Sequence, residues 1–208
     1  MIRIITIERE YGSGGGVIAG KLAERLGWKL WDQLLTQEIA QRMECECHMV
    51  EKHEEREDPA SYRLLKAFMR GSFEGSAHAP RLKMVDTDCV REVAKKLIPE
   101  IAEEGNSVIV GRGSAYYLCS HPDAFHVFIY APFHERVRRL QLTGKSEKEA
   151  EELATTVDRD RADFIKRYFD VTWPARHCFH LMVNSGMGDE AAVDIIASAL
   201  ERYAKQAT

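Results

Sequence analysis

Residues 8–16 read Glu8-Arg9-Glu10-Tyr11-Gly12-Ser13-Gly14-Gly15-Gly16, and the glycines leave the backbone of this turn open to close approach by a ligand. A glycine turn leading directly into a helix gathers several backbone N–H groups at the helix N-terminus, where the dipole favours negative charge. That arrangement cradles phosphate, and without it three consecutive glycines at a helix start are an unexplained entropic cost. Gly12, Ser13, Gly14, Gly15 and Gly16 are therefore the first candidates for anion binding, with Arg9 beside them as a source of charge. Arg112 stands between Gly111 and Gly113, where a planar guanidinium has room to grip a phosphate through two parallel hydrogen bonds. A structural salt bridge is the alternative for Arg112.

Other charged residues allow two readings each. Asp32 either hydrogen-bonds a ligand or caps the helix that follows it. Arg159 and Arg161 lie in a stretch dense in arginine and aspartate, so they either grip phosphate or belong to a solvated helix face with pairs such as Arg159 to Asp163. Arg136 and Arg139 share a helix face at i,i+3 and either brace the sheet or point to phosphates. The cluster Cys45-Glu46-Cys47-His48 lacks the second ligand pair of a zinc site and reads as ordinary thiols in a helix, so no metal-ligating residue is assigned.

The elements that position these residues follow from the hydrophobic pattern. Residues 2–7 form a β-branched run that meets the glycine turn, and Ile18, Leu22 and Leu26 then recur every four residues as one face of a helix closed by Gly27. Further strands are expected at 28–31, 107–110, 125–130 and 179–183. Helices are expected around Leu34 to Met43, around Val90 to Ile101 with a bend or break at Pro99, after Pro132, and around Val193 to Ala204. Ser146-Glu147-Lys148-Glu149 is a capping box that opens a long helix. Five strands alternating with helices imply a parallel sheet covered on both faces, with ligands bound beyond the carboxyl ends of the strands. The pattern degrades between residues 44 and 80, where the run Glu51-Lys52-His53-Glu54-Glu55-Arg56-Glu57 reads as a solvated helix face.

Length and composition narrow the function classes. The 208 residues are expected to form one domain, and a net charge of −4 argues against a chain built to coat nucleic acid or anionic membrane. No apolar run is long enough to span a bilayer, and the N-terminus has no signal-peptide pattern. Five cysteines at irregular positions make no disulfide framework, so the chain reads as cytoplasmic.

Two phosphate-binding templates fit the glycine turn poorly. The dinucleotide fingerprint places Val17 at its third glycine. The P-loop pattern G-x-x-x-x-G-K-[ST], aligned on Gly14, places Arg9 at the first glycine, Gly15 at the lysine and Gly16 at the hydroxyl position.

The whole chain nevertheless resembles the cytidylate kinase-like family, a branch of the P-loop nucleoside monophosphate kinases. The resemblance rests on Arg9-Glu10-Tyr11-Gly12-Ser13-Gly14-Gly15, on Trp31-Asp32 and on Val108-Ile109-Val110-Gly111-Arg112-Gly113. Ala131-Pro132 with Arg136 and Arg139, Asp158-Arg159-Asp160-Arg161 with Asp163, Arg167 and Tyr168, and Val183-Asn184-Ser185 extend it over nearly the full length.

The resemblance implies a five-stranded α/β domain spanning residues 1–208, with a helical acceptor-binding insertion at about 44–87 and a lid at about 146–170. It implies ATP and Mg2+ as cofactors, small-molecule nucleotides as partners, Asp32 and Arg112 on the acceptor, and Arg159 and Arg161 as catalytic lid arginines. A CMP-like nucleoside monophosphate is the acceptor it points to.

Three departures bear on that reading. Gly15 removes the lysine that reaches the β- and γ-phosphates, leaving Arg9 or a lid arginine to supply the charge. Gln37-Glu38 stands where cytidylate kinases carry an arginine, and Gly113 stands where they carry an aspartate. Two further readings therefore stay open: a nucleotide-binding protein without turnover, and a kinase of a non-nucleotide metabolite.

Overall fold

The computed structural model describes residues 1–46 and 87–206. The expected insertion at 44–87, apart from its ends, lies outside the described residues, as do Cys47, His48 and the charge run. Five parallel strands form one sheet in the order β2-β3-β1-β4-β5. They are β1 (Ile4–Arg9), β2 (Lys29–Trp31), β3 (Ser107–Val110), β4 (Ala124–Tyr130) and β5 (Leu181–Asn184). Since β1 is central, the loop at its end opens between the ends of β3 and β4, where an α/β sheet has its switch point.

Helices cover both faces. Helices α1 (Gly15–Leu26) and α7 (Asp189–Gln206) bury Ile18, Leu22, Val193 and Ile196 against Ile5, Ile7 and Val127. The opposite face carries α2 (Gln33–Glu46), α3 (Thr87–Glu104) and the short α4 (Ser114–Tyr117), with Leu35, Val93 and Ile98 packed near Ile4 and Ile109. Helices α5 (Phe133–Gln141) and α6 (Glu147–Phe169) pack on each other through Val137, Leu140, Ala150 and Val157, and Tyr11 of the glycine turn is buried among them. Among the described residues, no helix is long and apolar enough to cross a membrane.

The capping box forms as expected, with Ser146 and Glu149 bonded reciprocally. Helix α3 runs on through Pro99, where the sequence allows a bend or a break. The missing proline N–H leaves the Lys95 carbonyl without its helical donor, on a stretch open to solvent. The first strand continues two residues beyond its apolar run, pairing Glu8 with Phe128 and Arg9 with Ile129. The last strand starts at Leu181, two residues later than its apolar run indicates, because Phe179 packs against Tyr116 and Phe128 without joining the ladder.

His126 of β4 ties the central strands together. Its Nε2 lies 3.1 Å from the Leu118 carbonyl, which can only accept, so Nε2 carries a proton, and its Nδ1 lies 2.7 Å from the Thr6 hydroxyl, from which it accepts in the neutral ring. Burial, and then the stacked His180 ring, push its pKa down to about 4. The unfolded chain therefore binds a proton near pH 6.5 that the folded chain refuses until about pH 4, and stability falls as pH drops through that window. The expected loss is on the order of 3 kcal/mol. Urea titrations at pH 7 and pH 4.5 check it: His126→Gln should flatten the slope, and an unchanged slope would assign it to other groups.

Candidate functional site

Alternation along β1 sends Glu8 to the side of Ile4 and Thr6, toward α3 and α6, and Arg9 to the side of Ile5 and Ile7, toward α1. The chain then turns through Gly12 at φ +82° and Gly14 at φ +75°, left-handed conformations that glycine adopts without strain. Helix α1 begins at Gly15 with no capping side chain and no acidic residue in its first turn, and Gly15 is buried. Its first amides therefore receive no side-chain cap at the end of β1.

Space at the turn is tight. A Cβ on Gly12 would lie 2.9 Å from the Arg136 carbonyl oxygen, and one on Gly14 would collide with the Arg139 guanidinium. Gly14→Val also places a β-branched residue at positive φ. ATP affinity of this variant, by titration calorimetry, should fall about 100-fold or more through lost bonds to charged phosphate. Unchanged affinity would remove the turn from the site.

Buried ion pairs fix the turn from outside. Asp158 of α6 accepts the Tyr11 backbone N–H at 2.8 Å through Oδ1, and its Oδ2 pairs with Arg136 Nη1 at 2.5 Å. Arg136 Nη1 also donates to the Tyr11 carbonyl at 3.2 Å, and its Nε lies 3.4 Å from Glu10. Arg161 donates to the Arg9 carbonyl at 2.7 Å and pairs with Asp158 at 3.3 Å. Arg139 donates to Asp189 at 2.7 Å and to the Ser185 carbonyl at 3.0 Å, joining α5 to the start of α7 beside Gly14. Of the two readings of Arg136 and Arg139, the bracing one describes their contacts.

Next to the turn is a small cleft open to solvent. Glu8, Arg9, Arg112 and Arg161 give it charge, and Phe164, Ile165 and Trp173 of one wall are apolar. Arg112 has φ +56° between two left-handed glycines, a backbone conformation costing about 1–2 kcal/mol for a non-glycine residue. Held this way, its Nη1 donates to Asp32 at 2.9 Å and to the Val110 carbonyl at 3.0 Å, and its Nη2 donates to Thr36. Its Nε–H has no partner among the described residues.

The cleft concentrates cations. Burial pushes the Arg9 pKa down to about 9, with repulsion from Arg161 adding to the effect. Burial likewise lowers Arg112 and raises Glu8. The Glu8 Oε1 and Arg9 Nε atoms are buried without a partner among the described residues. An entering phosphate would meet the Arg9 guanidinium, whereas Arg112 and Arg161 already face Asp32 and Asp158. Glu8 is the cleft carboxylate with an oxygen to offer a magnesium ion carried by ATP, since Asp32 is paired with Arg112.

The structure therefore brings Arg9, Gly12 to Gly16, Asp32, Arg112 and Arg161 to one end of the sheet. Arg159 is placed otherwise: its side chain is exposed and lies 3.7 Å from Asp160, so it does not line the cleft. Sequence reasoning quotes Glu8 and Asp158 within their motifs and gives neither a role. Alternation from Ile4 through Thr6 could have placed Glu8 on the cleft side, whereas the motif around Asp158 does not show what it faces.

Comparisons with known proteins agree with this architecture. No curated protein matches the chain. Among solved structures, an uncharacterized protein from Eubacterium ventriosum ATCC 27560 is 22% identical with a TM-score of 0.68, covering 97% of this chain and 99% of its own. Shikimate kinase from Bacteroides thetaiotaomicron is 18% identical with a TM-score of 0.55 over 97% and 99% of the two chains. Shikimate kinase from Acinetobacter baumannii, solved with shikimate, is 15% identical with a TM-score of 0.51 over 97% and 95%. At these identities the likeness is one of fold, and the fold is that of P-loop, nucleoside-monophosphate-kinase-like α/β proteins. The model of the cytidylate kinase-like family matches residues 4–187, from β1 through the turn after β5, and the chain belongs to that family.

Proposed function

We propose that the protein transfers the γ-phosphoryl group of magnesium ATP to a small anionic acceptor, a CMP-like nucleoside monophosphate. The observation that carries this reading is the adjacency of uncapped α1 amides and a cleft where Arg9, Arg112 and Arg161 converge. Phosphoryl transfer asks for alignment and charge neutralisation rather than covalent work by the protein. The turn from Gly12 to Gly16 holds the donor phosphates through its amides from Gly14 onward, since the Ser13 N–H is given to Glu10, Asp32 and Arg112 hold the acceptor, and Arg161 fixes the end of β1 while facing the cleft. Magnesium neutralises charge on the transferring group when bound. Arg159 reaches the phosphates only if α6 moves, so its catalytic role requires closure of residues 146–170 over bound ligand. The acceptor-binding insertion is assigned to residues 44–87.

The test is ADP release with ATP and magnesium across the nucleoside monophosphates, with shikimate added as a hydroxyl acceptor, beside thermal-shift titrations with the same ligands. Turnover with one monophosphate supports the proposal. Turnover with shikimate alone moves the acceptor to a non-nucleotide metabolite. An ATP-induced shift without turnover supports the second reading, a nucleotide-binding protein, which the glycine at the lysine position favours.

A further inference from the structure

The turn lacks a lysine but not a cation, and Arg9 lies against the position where the lysine would stand. In the pattern G-x-x-x-x-G-K, the lysine follows the second glycine and reaches the β- and γ-phosphates. Position 15 takes that place here, because α1 starts there directly after left-handed Gly14. A Cβ built on Gly15 would lie 2.8 Å from both Cβ and Cγ of Arg9. Positions 9 and 15 therefore face each other across the turn, and the space between them admits one side chain. The usual pattern has glycine at the first position and the long cation at the second, whereas this chain has the reverse.

The far end of Arg9 lies at the end of β3 and lines the cleft. Its guanidinium lies against Gly111 at the end of β3, where any Cβ would collide with Nη1, so Gly111 leaves room for it. Arg9 lines the cleft, is only 4% exposed, and its Nε–H has no partner among the described residues. Arg161 donates to the Arg9 carbonyl, fixing the backbone from which the side chain departs.

We propose that Arg9 is the catalytic cation of this site, contacting the donor's β- and γ-phosphates in place of a lysine at position 15. The inference rests on the phosphotransfer reading. An acceptor oxygen supplies the electron pair of the new bond to the γ-phosphorus. The bond from that phosphorus to the β,γ-bridging oxygen breaks, and its electron pair stays on the terminal phosphate of ADP. Arg9 remains protonated throughout and stabilises that developing charge through hydrogen bonds.

The experiment pairs ATP affinity, measured by calorimetry with magnesium ATP, with ADP release in the presence of the acceptor that turns over. Arg9→Met keeps the aliphatic stem and removes the charge; turnover should fall about 10³-fold and ATP affinity should weaken. Gly15→Lys alone should be no better than Arg9→Met, because the new side chain meets Arg9. Combined Arg9→Gly and Gly15→Lys restores the usual arrangement and should recover turnover to within about tenfold of wild type, far above Arg9→Gly alone. Should the double variant misfold, Arg9→Lys against Arg9→Met still isolates the charge, with the lysine variant retaining the tighter ATP binding. Wild-type affinity in Arg9→Met overturns the assignment of Arg9 while leaving phosphotransfer intact. Wild-type protein that binds ATP but turns over no acceptor defeats the phosphotransfer reading, and the affinity comparison then still decides whether Arg9 touches the donor.

Discussion

Arg112→Ala should raise the KM for the acceptor about 10- to 100-fold and leave ATP affinity within about twofold, since hydrogen bonds from a charged donor contribute roughly 1.5–3 kcal/mol. The guanidinium donates to Asp32, Val110 and Thr36, and its Nε–H remains for a ligand. A strained backbone at Arg112 is retained although an ordinary conformation would lower the energy, and such strain concentrates at ligand sites. The single variant also takes from the Asp32 carboxylate its ion pair with Arg112, a loss of about 1–3 kcal/mol in folding stability. Combining it with Asp32→Asn removes the charge that Arg112 balanced. If Arg112 and Asp32 only brace each other, the double variant regains both stability and the wild-type KM. If the pair holds the acceptor, stability returns and KM does not, while equal loss of ATP and acceptor binding would end the proposed division of roles.

Much of this arrangement is legible in the residues. Five apolar runs separated by helical stripes are enough to fix the sheet class, and the glycine run locates the turn because glycine at φ +82° and +75° has no other economy of strain. The illegible parts are those in which charge is buried. Hydrophobic patterning ends β1 at Ile7, since Glu8 and Arg9 resemble loop residues, yet both continue the ladder. Spacing shows that Arg136 and Arg139 share a face of α5, but what faces them, Asp158 and Asp189, comes from helices distant in sequence. The Arg9 to Gly15 contact is of the same kind, as the substitution of each position is visible alone and their mutual contact only in three dimensions.

The second large effect is expected at Asp158, which connects α6 to the turn without lining the cleft. Asp158→Ala should lower folding stability by about 3–5 kcal/mol, because Arg136 and Arg161 are both buried and each loses a carboxylate. For a chain of this length that is roughly a 10 °C drop in Tm. The pair's own net attraction is not the source: burial holds the Asp158 pKa above its ordinary value despite both arginines, so desolvation outweighs their pull. The loss comes from what remains, two buried guanidiniums that keep Glu10 and backbone carbonyls but lose the Asp158 carboxylate, and a Tyr11 N–H that loses the Asp158 oxygen. Since that N–H belongs to the turn, ATP affinity should fall as well, even at temperatures where the variant is folded. Asp158→Asn keeps an oxygen for Tyr11 while removing the charge, and should retain more ATP affinity than Asp158→Ala for a comparable fall in Tm. Calorimetric titration of both variants well below their Tm separates the contributions. Equal ATP affinities in alanine variant and wild type would mean that the turn holds its shape without α6, and that the long helix acts on the site only through Arg161.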